Sequence, residues 1–321
     1  RDFVKQNASQ FQPVVTLRKP DEQWQTIREE LVTDRGHGRV RGPLQHPASW
    51  KSPLTAGLDP LVDKKLSDAM EEDLAFSHGF GIHQLTGGKW KVRRGEDWRR
   101  SGHNATARAC HRPVQHTCEH HAEMVKFLYS LGCRRLRFWS HDQEAAYRFL
   151  PAGDVPHMYF ILWTPDGPEV WQHMALNFGA KGAVWGYGRF ADAVVAVLRL
   201  MGFVCAGHFV DDFNGDEPES TAQSAFEFTR ELMAALKWPM KASKECPAAA
   251  EVTRLGTTWR YEDDDDMLVI EPKPGRKEDL VEAFEQTLVD KELSATNAGT
   301  LAGKSTFVSQ SMFGRVGRAA C

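Results

Sequence analysis

The chain has 321 residues, 41% of them hydrophobic, with 40 Lys and Arg against 43 Asp and Glu for a formal net charge of -3. That profile excludes a disordered or collagen-like polypeptide and leaves room for two or three lobes or one large domain. A near-neutral total does not exclude a nucleic-acid partner, because the charge is uneven: residues 89–100, "KWKVRRGEDWRR", are strongly basic, whereas Glu262 to Asp266 form an acidic run. The six cysteines, at 110, 118, 133, 205, 246 and 321, contain no CxxC pair and suggest no disulfide framework, so the expected compartment is reducing, cytoplasmic or nuclear. The most apolar run, "ADAVVAVLRLMGFVCAGHFV", is broken by Asp192, Arg199 and Gly202 and predicts no membrane span.

Residues 1–60 are rich in Pro, Gly and charge, with one helix around "DEQWQTIREELV", and read as an N-terminal extension. A helical pattern covers 61–78, and "GGKWKVRRGEDW" reads as a hairpin or extended segment entered through a Gly-Gly turn. "VQHTCEHHAEMVKFLYSLGC" predicts a helix capped by Thr117 and ending at Gly132, with Met124, Phe127, Leu128 and Leu131 at apolar spacing. "RRLRFWSHD" is a strand running into Asp142, and "HMYFILWTP" and "GPEVWQHMAL" alternate as two strands joined by "TPDG". "KGAVWGYGRFADAVVAVLRLMG" begins irregularly and becomes a helix stopped by Gly202.

"FVCAGHFVDDFNGD" reads as strand, tight turn and strand edge. "ESTAQSAFEFTRELMAALKW" is an amphipathic helix with a capping box from Ser220 to Gln223 and one face made by Ala222, Ala225, Phe226, Thr229, Leu232, Met233 and Leu236. "VTRLGTTWRY" and "DMLVIEP" form a further strand pair, the acidic run between them is a solvated loop, and "RKEDLVEAFEQTLVD" and "AGTLAGKSTFVSQSMFGRVG" are helices. The order predicts an α+β fold, an antiparallel sheet of ferredoxin-like type with helices on one face.

In "GHFVDDF", Asp211 and Asp212 stand side by side in an apolar run. Desolvating unpaired charge is expensive, so the pair needs a cation, and Mg²⁺, a hard ion that takes few carboxylates plus substrate phosphates, answers that need. A third carboxylate is available 69 residues upstream, where Asp142 ends another apolar-aromatic strand. Cys110, His111, His116, Cys118, His120 and His121 suggest a zinc cluster, but their spacings match no common zinc module and the segment should open a helix, so no zinc is expected.

Several segments together resemble reverse transcriptases. "FVDDF" is similar to the family's aromatic-X-Asp-Asp motif, and "DQEAAYRFLP" to its first catalytic motif, with Ala146, Tyr147 and Pro151 at the matching places. "ALNFGAKGAVWGYGRF" resembles the segment before the long palm helix, "KASKEC" with "RLGTTW" the close of the palm, "KWKVRRGEDWRRSGHN" the fingers and "LAGKSTFVSQ" a helix that often follows the thumb. The likeness covers roughly residues 85–315 in the family's order. It departs at Gly95 and Glu96, where apolar strand residues are usual and an irregular strand is therefore expected, and at Asn177, where Pro is usual.

The resemblance implies a right-hand polymerase: fingers and palm over 61–270, and the start of a thumb or connection over 271–321. It implies RNA-directed DNA synthesis from deoxynucleotides on a primed RNA or DNA template, with two Mg²⁺ ions, for which Mn²⁺ can substitute, on Asp142, Asp211 and Asp212. Lys244 would be the general acid, and Gln143 would add a ligand through its carbonyl. Tyr147 would sit under the sugar and exclude a 2′-hydroxyl, Phe178 and Gly179 would line the nucleotide pocket, and Arg93 with Lys89 or Lys91 would reach the phosphates. Leu255 and Gly256 would grip the primer end. The alternatives are a catalytically decayed retroelement remnant that only binds nucleic acid, an RNA-templated RNA polymerase, and a Mg²⁺ phosphotransferase, which would not need the fingers segment.

Overall fold

A computed structural model describes residues 19–44, 76–86, 89–108, 113–153, 158–290 and 293–309. In chain order the elements are α1 (Trp24–Gly36), β1 (Val40–Leu44), β2 (Phe76–Thr86), β3 (Lys89–Glu96), α2 (Cys118–Ser130) and β4 (Leu136–Asp142). Next come β5 (Tyr159–Thr164), β6 (Gly167–His173), α3 (Lys181–Met201), β7 (Ala206–Phe209), β8 (Asp212–Pro218) and α4 (Glu219–Ala235). Then come β9 (Cys246–Ala249), β10 (Glu251–Arg254), β11 (Thr257–Glu262), β12 (Met267–Pro272), α5 (Arg276–Asp290) and α6 (Ala295–Val308). This is a mixed α/β chain whose sheets are mostly antiparallel, compatible with the α+β class. Among the described residues no helix is long and apolar enough to cross a membrane. The helical pattern at 61–78 lies outside the described residues except for 76–78, which open β2, and the Gly87-Gly88 turn also lies outside them.

The chain divides into two compact units, Arg1–Arg112 with Ala145–Tyr187, and Pro113–Glu144 with Gly188–Cys321. The first holds a five-stranded sheet in the order β1-β6-β5-β2-β3, antiparallel except for the parallel pair β2–β5. Ile27 and Leu31 of α1 pack against Val40, Phe160, Leu162 and Trp171. All six positions of β5 are buried, so the alternation expected for it is absent, and "YFILW" is the continuous apolar run that a strand covered on both faces needs. Strand β3 is regular through Glu96, contrary to the irregularity expected there. Gly95 leaves room for Phe80 and Ile82, whose side chains a Cβ would meet at 3.0 and 2.8 Å. Glu96 is buried but paired with Arg94 at 2.8 Å. Burial would raise its carboxyl; His173 and then Arg94 outweigh that and hold it at about 2. Asp34 completes the cluster by accepting from Arg94 at 3.1 Å and from Arg148.

The second unit contains a four-stranded sheet in the order β7-β8-β4-β9, packed by α4 and α2, and a three-stranded sheet β10-β11-β12. Its core joins Ala122, Val125 and Leu128 of α2 to Leu136, Phe138, Val252, Trp259 and Tyr261. Thr117 does cap α2, but the buried face runs through Cys118, His121, Ala122, Val125 and Leu128, leaving Phe127 and Leu131 exposed. Helix α3 is regular from Lys181, and the left-handed residue after it is Phe203 rather than Gly202. The capping box at Ser220 is not formed: the N-cap of α4 is Pro218, and the first free amide, Glu219, donates to the Arg135 carbonyl. "VTRLGTTWRY" is itself a hairpin, β10 to β11, turning through Leu255 and Gly256 at φ 49° and 76°.

The register of β4 on β8 sets Trp139 opposite Gly215. A Cβ at Gly215 would lie 2.0 Å from the Trp139 ring, which is fully buried. The pairing is pinned again one residue on, where Asp216 is enclosed by Arg254 of β10 and by His121 of α2 at 2.5 Å. Burial alone would raise the Asp216 carboxyl; Arg254 and then His121 hold it below the usual carboxylate range. Gly215→Ala should therefore destabilise the chain by about 1–3 kcal/mol, read as a lower urea midpoint, because the indole has nowhere to go. An unchanged midpoint would show that the strands are free to separate at this point.

Candidate functional site

Strand β4 ends at Asp142 and strand β8 begins at Asp212, and the antiparallel register places these two residues directly opposite each other. Cross-strand partners stand about 4.5–5.5 Å apart at Cβ, close enough for two carboxyl groups to share a proton. Asp211 lies in the two-residue turn between β7 and β8, and its carbonyl accepts from the Gln143 amide at 3.0 Å. Val210, the other turn residue, has φ +52°, a left-handed value that a β-branched side chain rarely adopts. The Asp142 carbonyl accepts from Lys241, and the helical turn Ala242–Lys244 then brings the Lys244 ammonium to 2.5 Å from Asp142 Oδ2.

The electrostatics follow from this placement. Burial pushes the Asp212 carboxyl up to about 7, helped by the negative charges of Asp211 and Asp142 and by a hydrogen bond with Asp142, with Lys244 pulling the other way. Asp142 and Asp212 thus share a hydrogen bond within the field of the Asp211 charge, with the Lys244 ammonium on Asp142. Hard oxygen donors carrying more negative charge than the lysine offsets are a donor set that fits Mg²⁺. The site is not a closed protein cage: among the described residues no group of three or more His, Cys, Asp or Glu is already gathered around one ion-sized point. Mg²⁺ does not require one, since it keeps waters and substrate phosphates in its shell.

Asp142, Gln143, Asp211, Asp212 and Lys244 are therefore brought together within the second unit. Leu255 and Gly256 are in the same unit, in the β10–β11 turn. The remaining candidates belong to the first unit. Tyr147 is buried in a short 3₁₀ turn, its ring edge-on to Phe178 at 5.0 Å and to Tyr187 at 5.5 Å. Phe178 is 41% exposed, and the carbonyl of Gly179, at φ +83°, accepts from Asn104 Nδ2 at 2.9 Å. Asn177, at the place where Pro is usual, is fully buried. Lys89, Lys91 and Arg93 alternate along one exposed face of β3, and Arg93 also donates to Gln84 at 2.6 Å. The neighbour Arg94 points the other way, into the buried ion cluster.

Other groups at the site were not singled out from sequence. His208 of β7 is buried and contacts Asp192 of α3 and the Val210 carbonyl. Asp192 stood out in the sequence only as a charge interrupting an apolar run, and His208 only as a neighbour of the acidic pair. His141, beside Asp142, is core: its ring stacks on Phe226 at 4.4 Å. The zinc candidates Cys110 and His111 lie outside the described residues, and His121 is committed to Asp216.

No known protein-family model matches the chain, and no curated protein matches it.

Asp212 holds its proton more tightly in the folded chain than the ordinary value of 3.8. Between about pH 4 and 7 the folded state carries the extra proton, so stability falls as pH rises through that window. Asp212→Asn should match the parent near pH 4 and unfold at a higher temperature at pH 8, by on the order of 1–2 kcal/mol once solvent screening is allowed for. Glu217, pushed up to about 7 by burial, adds the same slope to both proteins, so their difference isolates Asp212. A variant no more stable than the parent at pH 8 would remove the case for crowded carboxylates.

Proposed function

We propose that the chain is a template-directed DNA polymerase of the reverse-transcriptase type, with the right-hand fold the motifs imply. The observation that carries this reading is the cross-strand placement of Asp142 opposite Asp212, with Asp211 in the adjoining turn. The sequence resemblance supports it over other Mg²⁺ phosphotransferases, since the basic fingers segment and the Tyr147 motif come with the carboxylates in the family's order. In this reading residues 61–270 make fingers and palm, and α5 and α6 open the thumb.

Asp142, Asp211 and Asp212 would hold two Mg²⁺ ions, or Mn²⁺ in their place. When bound, the metal lowers the pKa of the primer 3′-hydroxyl and neutralises charge on the triphosphate and departing pyrophosphate. Lys244, 54% exposed at its side chain, is free enough to leave Asp142 and give a proton to pyrophosphate. Tyr147, fixed edge-on by Phe178 and Tyr187, offers a stiff aromatic wall that a 2′-hydroxyl would strike. Gly179 holds a left-handed φ of +83° at which a Cβ would crowd the Glu96 carbonyl at 3.2 Å, and Lys89, Lys91 and Arg93 present cations for phosphate. The partners are a primed RNA or DNA template and deoxynucleoside triphosphates.

Primer extension on an RNA template with deoxynucleotides and Mg²⁺, repeated with Mn²⁺, tests the reading. Extension should fall by at least about a hundredfold in Asp211→Ala. Folded protein that extends no primer under either metal and binds neither ion would favour a decayed element that only binds nucleic acid. Tyr147→Val should raise ribonucleotide use relative to deoxynucleotide use by roughly tenfold or more. Equal discrimination in parent and variant would take the sugar-sensing role away from Tyr147, and a parent that prefers ribonucleotides would point to RNA synthesis.

A further inference from the structure

The turn that carries Asp211 and leads into Asp212 contains a β-branched residue in a left-handed conformation, Val210 at φ +52°. Such a conformation is strained and persists only where the surroundings over-determine it. One support is the Gln143 amide on the Asp211 carbonyl at 3.0 Å. A second comes from His208, a fully buried side chain three residues before Asp211. Its Nδ1 lies 3.3 Å from the Val210 carbonyl, and its Nε2 lies 2.9 Å from Asp192 Oδ1 on α3. The imidazole thus reaches from the helix across to the strained residue.

The backbone of His208 is tied down independently of its ring. Its carbonyl accepts from the His116 amide at 2.8 Å, and its own amide faces His116 Nδ1 at 3.2 Å. Arg199, one helical stretch after Asp192, donates from Nε to the Ala206 carbonyl at 2.8 Å and so fastens the start of β7 to the same helix. With the strand already fixed by these contacts, the ring of His208 is left to act on the turn itself.

We propose that Asp192 and His208 are positioning residues, a latch from helix α3 to the Val210 carbonyl that holds the turn presenting Asp211 and Asp212. Asp192 orients the imidazole, and the imidazole fixes the carbonyl that would otherwise be free to swing as Val210 relaxed out of its left-handed state. The latch itself stands on geometry; its consequence for metal rests on the polymerase reading above.

Hydrogen exchange read by mass spectrometry on the full chain tests it, in Asp192→Ala, His208→Phe, the double variant and Asp192→Asn. Peptides covering residues 206–216 should exchange about tenfold faster in each of the first two variants, while those covering 251–272 stay unchanged. The double variant should be no faster than either single one, because both remove one unit. Asp192→Asn, whose side-chain amide can donate to His208 Nε2 while Nδ1–H donates to the Val210 carbonyl, should restore most of the protection. Mn²⁺ affinity measured by calorimetry should fall roughly tenfold in the first two variants and recover in the third. Unchanged exchange across 206–216, or equal loosening of 206–216 and 251–272, would overturn the latch. Should His208→Phe fail to fold, Asp192→Ala decides alone, since that side chain is 36% exposed and its loss leaves no buried cavity. A parent that binds no Mn²⁺, yet whose hairpin loosens in Asp192→Ala, would uphold the latch while overturning the metal reading.

Discussion

The antiparallel pairing of β4 with β8 is the constraint on which the candidate site depends. It sets Asp142 opposite Asp212, although the two are 70 positions apart (212 − 142). A slip of one residue would turn one carboxylate to the opposite face of the sheet. The register is held away from the acidic end by two features that tolerate little change. Gly215 admits the Trp139 indole, and Asp216 is locked between Arg254 and His121. At the acidic end itself the strand can be neither extended nor shifted, because the turn back to β7 is only two residues long.

Asp212 and Asp216 show how the same side chain on the same strand face acquires opposite properties. They are four positions apart, so both project from one side of β8. Both are penalised by burial. Asp216 meets a guanidinium and an imidazole and stays ionised, whereas Asp212 meets two further carboxylates and has its proton affinity raised. The first arrangement is internally complete and holds the sheet to α2 and β10. The second has one lysine for three acids, so like-charge repulsion is left partly uncompensated there.

A similar contrast runs along β3 in the first unit. Alternation sends Arg94 and Glu96 inward, where they, Asp34 and Arg148 neutralise one another, and sends Lys89, Lys91 and Arg93 outward with no such enclosure. A crowded set of acids in one unit and a solvated row of bases in the other each follow from whether tertiary packing supplies a counter-charge.

The acidic pair, the third aspartate and most of the elements were legible from sequence, because apolar periodicity and turn residues are local signals. Asp211 and Asp212 could be singled out because adjacent carboxylates in an apolar run are costly wherever the chain goes. The face that α2 buries could not be read, since Phe127 and Leu131 fit the helical spacing as well as Val125 and Leu128 and only the packing partners chose between them. Nor could the hairpin inside "VTRLGTTWRY", whose turn uses Leu255 at positive φ, or the cap of α4, where the carbonyl of Arg135 takes the place of the Ser220 side chain. Asp192 and His208 are the clearest case. Each is an ordinary residue in its own segment, and their contact exists only because β7 lies against α3. What the chain carries locally, the residue types and their periods, is set by sequence alone. Which acids are neutralised, which are crowded and which histidine reaches the turn are decided by long-range register and packing, for which short stretches of sequence have no signal.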